Sequence, residues 1–160
     1  MKKLFYFLLF IPLISGCIQL EAPKANYRDV RVSNVNLQGA RLDFMFDVEN
    51  KNPIAVEITN YTYQVEINGR ELVNNTGGGI TIEAQASKML TLPVQLRWDR
   101  VFDSVVSIAA NLMSDKMYLD YKVTGSLTAG TMGLTTTAPL NASGRINIPK
   151  QALNLPRITF

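Results

Sequence analysis

Few residues of this 160-residue chain are of the types that carry out catalysis or bind metals. It contains no histidine and a single cysteine, Cys17, so it cannot form an internal disulfide or the usual histidine-based metal and nucleophile sites. The best group of carboxylates on one face of a predicted strand is Asp43, Asp47 and Glu49. At about 3.4 Å per residue, the first two would stand about 13 Å apart and the last two about 7 Å apart. We therefore predict no catalytic residue, no metal site and a solvated acidic face.

Cys17 is preceded by the features of a secretory signal. Lys2 and Lys3 give a positively charged start, and an apolar run follows at 4–14. As a helix rising about 1.5 Å per residue, this run would span only about 17 Å, too short for a hydrocarbon core of about 30 Å. The stretch LISGC at 13–17 resembles the bacterial lipobox, in which the chain is cut before the cysteine and lipid is attached to it.

The lipobox resemblance implies that residues 1–16 are a lipoprotein signal peptide and that Cys17 is the lipid attachment site. We therefore expect no cofactor other than a covalent lipid, such as palmitate, on Cys17. The alternative is that Cys17 is a buried free thiol that follows an ordinary signal peptide. Two or more acyl chains, at about 0.8 kcal/mol per buried methylene, hold a protein on a membrane effectively permanently. Because Ile18 replaces the Asp that retains lipoproteins at the inner membrane, we expect an outer-membrane lipoprotein facing the periplasm, if the organism is Gram-negative.

The charge balance of the mature chain is nearly neutral. Removing Lys2 and Lys3 with the signal peptide reduces the 16 Lys and Arg residues to 14, against 13 Asp and Glu, a net charge of +1. No basic run interleaved with aromatic residues is present, so nucleic acid is not an expected partner. Residues 17–27, which include the polar stretch EAPKAN, are interpreted as a lipidated tether, and residues 28–160 as one domain.

Alternating apolar residues predict an all-β domain. In ARLDFMFDVEN, the apolar side chains of Leu42, Phe44, Phe46 and Val48 fall on one face and charged side chains on the other. Five further stretches alternate in the same way, so that about six strands are predicted from the pattern; they contain Val30 and Val32; Tyr61, Tyr63, Val65 and Ile67; Leu90, Leu92, Val94 and Leu96; Met117, Leu119, Tyr121 and Val123; and Leu140, Ala142, Ile146 and Ile148.

Three other local patterns complete the predicted elements. The apolar parity changes between Ile58 and Tyr61, which predicts a bulge or a change of sheet, and Asn68 with Gly69 predicts a turn. The stretch NNTGGG is predicted to be a flexible loop without a phosphate-binding pattern. Apolar residues recur at helical spacing in residues 99–113, which predicts one short helix with Asp99 as its N-cap.

The stretch FDVENKNPIAVEI, at 46–58, resembles the Asn-Pro-Asn-Pro signature of the type-2 late embryogenesis abundant (LEA) family, also called the WHy (water stress and hypersensitive response) domain. YTYQVEINGREL is similar to a later part of that family, and APLNASGRINIP resembles its closing pattern of Pro, Gly and Pro, here Pro139, Gly144 and Pro149. The resemblance covers about residues 28–150. Lys51 departs from the signature, because the family has its first proline there. We assign Asn50, Asn52 and Pro53 to a structural signature turn rather than to ligand binding.

The family resemblance implies an immunoglobulin- or fibronectin-III-like β-sandwich of about seven strands with one short helix. An outer-membrane barrel is the competing architecture, but one tryptophan, a helix in mid-chain and charged outer faces fit it poorly. The resemblance also implies a non-enzymatic protein that protects envelope components during desiccation or other stress, with a membrane as partner through the anchor. The alternative is a binding or assembly module that captures a peptide, lipid or polysaccharide of the envelope.

Overall fold

The computed structural model describes residues 19–103, 107, 110, 111, 114 and 117–148. Cys17, Pro149 and the predicted signal peptide lie outside the described residues. The described elements are β1 Lys24–Ser33, β2 Gly39–Glu49, β3 Val56–Ile67, β4 Arg70–Gly77, β5 Ile80–Ile82, β6 Ser87–Arg97, α1 Trp98–Val101, β7 Met117–Thr131 and β8 Leu134–Ile148.

The strands form two antiparallel sheets. One sheet has the order β1-β2-β6, and the other has the order β4-β3-β7-β8, with β5 paired to the first residues of β3. The buried apolar residues of both sheets belong to one core. The predicted all-β, immunoglobulin-like sandwich with a short helix is therefore confirmed, with eight strands in the described part of the chain rather than about seven.

The alternation of β2 places its side chains as predicted. Phe44 and Phe46 are fully buried, and their Cα partners on β6 are Leu92 and Leu90. Asp43 and Asp47 lie on the other face, where neighbouring side chains cover them partly and leave 18% and 19% of each side chain exposed. One face of β2 therefore supplies the core while the other carries charge, as expected of a half-buried antiparallel strand.

The predicted irregularities of β3 are both present. The register between β3 and β7 shifts between Ile58 and Asn60. On the opposite edge, β3 pairs with β5 before this point and with β4 after it. Asn68 and Gly69 connect β3 to β4 with φ angles of 50° and 75°, the left-handed conformation that a tight hairpin turn requires.

The prediction that NNTGGG is a flexible loop is wrong for most of its length. Residues 74–77 belong to β4 and pair with residues 61–64 of β3. A Cβ at Gly77 would lie 2.2 Å from the Tyr61 hydroxyl oxygen, so a larger residue there would require the Tyr61 ring to shift. The polar, glycine-rich composition of this stretch is typical of a loop. The strand forms nevertheless, because its pairing is determined by β3 and not by alternation of its own side chains.

The predicted helix starts earlier than expected and is interrupted after Val101. Arg97, not Asp99, is the N-cap residue, and Phe102 already has extended backbone angles, so α1 covers only Trp98–Val101. The start is determined by Trp98, whose backbone N–H donates to Gln38 O at 3.1 Å and whose buried ring donates from Nε1 to Asn36 O at 2.8 Å. Within the rest of the predicted range, residues 107, 110 and 111 are helical, as predicted, and most of the other residues lie outside the described part of the chain.

The sandwich also begins earlier than predicted. β1 starts at Lys24, so residues 24–27, which were assigned to the tether, pair with residues 46–49 of β2. Tyr27 packs its ring against Phe46, with ring centroids 5.6 Å apart. The proline in EAPKAN therefore precedes an edge strand, where proline is well tolerated, and does not mark a free linker.

Candidate functional site

The connection between β2 and β3 contains the two buried polar residues of the described chain. Asn50 is fully buried and Asn52 is 4% exposed, whereas Pro53 is exposed. We call residues 50–54 the asparagine corner. A buried amide that lacks hydrogen-bond partners is costly, so the partners of these two side chains indicate what holds the corner together.

The Asn50 side chain binds the backbone of a distant loop. Its Nδ2 group donates to Glu83 O at 2.9 Å, to Ile82 O at 3.2 Å and to Ile54 O at 2.8 Å. The Asn50 backbone N–H donates to Ala86 O at 2.8 Å. The end of β2 is thereby fastened to the loop between β5 and β6.

The Asn52 side chain binds the segment that precedes β1. Its Oδ1 accepts from the Glu21 backbone N–H at 2.8 Å, and its Nδ2 donates to Glu21 O at 2.9 Å. Asn50 Oδ1 accepts from both the backbone N–H and the Nδ2 of Asn52, at 3.0 and 2.9 Å. The two amides therefore connect three segments that are far apart in sequence, and each amide oxygen and nitrogen has a partner within the chain.

The acidic face singled out in the sequence contains ion pairs between neighbouring side chains. Arg41 Nε lies 2.9 Å from Asp43 Oδ1, and an Arg28 Nη atom lies 2.7 Å from Asp47 Oδ2. In the described part of the chain, no group of three or more Asp, Glu, Cys or His residues is arranged to hold a metal ion. Asp43 and Asp47 are therefore each paired with an arginine on the hydrated outer face of the sheet, as expected for a charged protein surface.

A pair of tyrosines was missed by sequence reasoning. The hydroxyl groups of Tyr27 on β1 and Tyr121 on β7 share a hydrogen bond of 2.8 Å, and the ring of Tyr121 packs 5.2 Å from that of Phe44. Burial raises the pKa of the Tyr27 phenol well above its usual value, and the contact with Tyr121 raises it further. Alternation predicted that Tyr121 faces inward, but no local signal identifies a partner on the other sheet.

The predicted pattern Pro139 and Gly144 lies on β8, next to this tyrosine pair. A Cβ at Gly144 would lie 2.7 Å from the Tyr121 hydroxyl oxygen, so glycine leaves the space that the tyrosine occupies. Open clefts of about 380 and 320 Å³ lie between β1 and β8, the outer strands of the two sheets on this side. Tyr27 and Ala142 line the first, and Ala25 and Pro139 line the second.

No helix among the described residues is both long enough and apolar enough to cross a membrane. The protein is a β-sandwich. At one end, the asparagine corner links the connection between β2 and β3 to the segment before β1 and to the loop between β5 and β6. The sequence matches the family model of the late embryogenesis abundant protein, LEA_2, over residues 45–144. The chain belongs to this family.

Solved structures agree with the fold. The solution structure of an Arabidopsis thaliana protein is 20% identical, with a TM-score of 0.61, and the match covers 82% of this chain and 85% of that one. The solution structure of a late embryogenesis abundant protein is also 20% identical, with a TM-score of 0.61, covering 80% and 72%. A crystal structure from Archaeoglobus fulgidus is 15% identical, with a TM-score of 0.50, covering 81% and 98%. No curated protein matches the chain.

Proposed function

We propose that this protein is a non-enzymatic envelope lipoprotein whose LEA sandwich, of the WHy subtype, protects envelope components during desiccation or other stress. A lipid on Cys17 anchors it to a bacterial membrane, with the sandwich in the periplasm at the outer membrane. Envelope proteins or polysaccharides are its clients, and it acts on them by contact rather than by turnover.

The observation that carries this proposal is the match of residues 45–144 to the LEA family. The geometry of the asparagine corner supports it, because the amides of Asn50 and Asn52 are engaged in holding the chain together and are not directed at a ligand. Asp43 and Asp47 are each paired with an arginine, which supports a role in which the surface acts by contact with clients and not by acid–base chemistry.

A second candidate function is capture of an extended peptide, a lipid or a polysaccharide. It is favoured by the two open clefts between β1 and β8, since neither of these strands pairs with another strand on the cleft side among the described residues. A peptide that adds to such an edge gains backbone hydrogen bonds, and the clefts would select its side chains. In this function the protein would have one defined partner, whereas protection by contact would extend to many clients.

Drying a sensitive enzyme separates these two functions. The soluble form should begin at Gln19, because Glu21 is bonded to Asn52 and belongs to the folded unit. We expect this form to preserve more enzyme activity after drying and rehydration than an equal mass of an unrelated globular protein. No advantage, together with recovery of a single stoichiometric envelope partner, would favour capture.

Catalysis is tested separately with the same soluble form. Hydrolysis of an envelope polymer that persists after repurification and is lost in Asp47→Ala would contradict both functions. Asp47→Ala removes only a surface ion pair with Arg28, so the variant should remain folded and the comparison should be interpretable.

A further inference from the structure

The tip of the hairpin formed by β7 and β8 exposes two apolar side chains. Met132 is 85% exposed and Leu134 is 42% exposed. Met132 and Gly133 form the turn between the strands, with φ angles of 50° and 80°. Turns of this geometry favour Asn, Asp and Gly, because other side chains are strained at positive φ. An exposed methionine here benefits neither the turn nor the core, which points to a contact outside the domain.

The part of the hairpin nearest its tip is free of charge. Residues 123–144 contain no Asp, Glu, Lys or Arg, and the charged residues of β7 and β8, which are Asp120, Lys122 and Arg145, lie toward the other end of the hairpin. The residues next to the tip are Thr131 and 135–137, whose hydroxyl groups are neutral. Charged groups are the most costly to bring into a bilayer, whereas an uncharged stretch of hairpin with an apolar tip can enter its interfacial region.

The tip lies at the end of the sandwich from which the chain would be anchored. Residues 19–22 line an open cavity of about 540 Å³ together with Thr136, which is two residues from Leu134. Cys17 precedes Gln19 by two residues, a stretch that spans at most about 7 Å. Among the charged residues at this end, Glu21 and Lys51 face each other, with Oε1 and Nζ 3.9 Å apart, and Glu57 on β3 lies beside Gly130 of β7. A lipid on Cys17 would therefore place this end of the sandwich against the membrane.

We propose that the β7–β8 hairpin tip is a second membrane contact, in which Met132 and Leu134 insert into the interfacial region of the bilayer that holds Cys17. This inference rests on the proposed lipid anchor. With contacts at both Cys17 and the hairpin, the sandwich has a fixed orientation, and the opposite end, with Leu37 and α1, points away from the membrane.

The test measures the depth of the hairpin tip in a bilayer. Full-length Met132→Cys is isolated in its lipidated form, reconstituted in vesicles of phosphatidylethanolamine and phosphatidylglycerol, and labelled with a nitroxide. Lipidation converts the sulfur of Cys17 to a thioether, so that only position 132 reacts. Relaxation by oxygen and by a nickel chelate then gives the depth, which we expect to be about 5–10 Å below the headgroup boundary.

Leu37→Cys is the matched control. Leu37 is also an exposed apolar residue, at 54%, but it lies in the connection after Ser33, at the far end of β1. We expect its label to be accessible to the nickel chelate and not to oxygen dissolved in lipid. Both positions are exposed, so thermal unfolding of the two variants should match that of the wild type.

The outcomes distinguish this inference from the anchor on which it rests. If intact mass shows lipid on Cys17 but the label at position 132 is as accessible to water as that at position 37, the hairpin contact is overturned and the anchor stands. If intact mass shows no lipid, the anchor and the hairpin contact both fail. Spin–spin broadening at position 132 without lipid contact would identify a second copy as the occupant and would also overturn the inference.

Discussion

At the residue scale, the asparagine corner shows how two short side chains determine the arrangement of a large part of the chain. Asn50 binds three backbone carbonyl groups, two of which lie 32 and 33 residues further along the chain. Asn52 binds both backbone polar groups of Glu21, 31 residues before it. The sequence identified these two asparagines as a structural turn, but it could not identify their partners, because nothing local links a turn to such distant segments.

Removing the Asn50 amide should destabilise the protein strongly. In Asn50→Ala, the carbonyl groups of Ile82, Glu83 and Ile54 lose their donor in a buried site. We expect the free energy of unfolding to fall by on the order of 3 kcal/mol, because buried groups without partners cost about 1–3 kcal/mol each and relaxation recovers part of this. Urea unfolding measures the change.

Two further variants test whether Asn50 stabilises the protein by donating hydrogen bonds. Asn50→Asp keeps the size but replaces the donor with an oxygen that faces three carbonyl groups, so it should be at least as destabilising as Asn50→Ala. Lys51→Ala, at an exposed neighbour, should change the free energy of unfolding by about 0.5 kcal/mol or less. A stable Asn50→Asp protein would contradict the assigned hydrogen bonds.

The Tyr27 phenol should make stability sensitive to alkali. Its pKa is raised in the folded state, so the neutral phenol is favoured there, and the unfolded chain loses its proton first, near pH 10. The stability that the raised pKa of Tyr27 contributes is fully present below about pH 10 and is lost as the pH rises above that value. We expect Tyr27→Phe to reduce the fall in unfolding free energy across this window.

In Tyr27→Phe, the fall in unfolding free energy with rising pH should be less steep but should not disappear, because burial also raises the pKa of Tyr63. Tyr118→Phe, at a position that is 50% exposed, serves as the control and should unfold in alkali as the wild type does. Urea unfolding at a series of pH values from 8 to 11 gives the slopes. Equal slopes for Tyr27→Phe and the wild type would contradict the proposed role of the partly buried pair of hydroxyl groups.

At the element scale, strands with one buried face were predictable, and strands held by their neighbours were not. β2 alternates from Ala40 onward and β6 from Met89 onward, so the pattern alone assigned their faces. β4 and β5 were missed, because β4 is polar apart from the adjacent Leu72 and Val73, which do not alternate, and β5 has three residues. Their position follows from pairing with β3, a contact that is invisible in their own sequence.

The errors at the ends of elements have similar causes. Asp99 is a good N-cap residue by type, but tertiary hydrogen bonds from Trp98 start the helix two residues earlier, with Arg97 as the N-cap. The EAPKAN stretch is polar enough for a linker, but Tyr27 packs on Phe46 and extends β1 back to Lys24. In both cases a buried aromatic ring outweighs the local preference.

The assignment of the two faces of β2 is tested by substitution. Phe46→Ala should lower the free energy of unfolding by about 3–5 kcal/mol, because it leaves a cavity in the core at a fully buried site. Asp47→Ala, on the opposite face, should cost about 1 kcal/mol or less, since it removes one partly exposed ion pair with Arg28. Chemical denaturation measures both, and equal losses would contradict the assignment.

At the scale of the whole molecule, the asparagine corner and the hairpin tip lie at the end of the sandwich where the described chain begins. Asn52 holds Glu21, and residues 19–22 share a cavity with Thr136 of β8. A lipid on Cys17 would then be followed by only a few residues before the folded unit. The proposed anchor would therefore hold the sandwich close to the membrane, where contact protection of envelope components is most effective.

The central claim, that an anchored sandwich protects the envelope, is tested most directly by drying bacterial cells. Three strains are compared: one with the wild-type gene, one without the gene, and one producing Cys17→Ala, which cannot be lipidated. Envelope integrity after drying and rehydration is measured by the leakage of a periplasmic enzyme. We predict greater leakage both without the gene and with Cys17→Ala. Equal leakage from all three strains would contradict the claim.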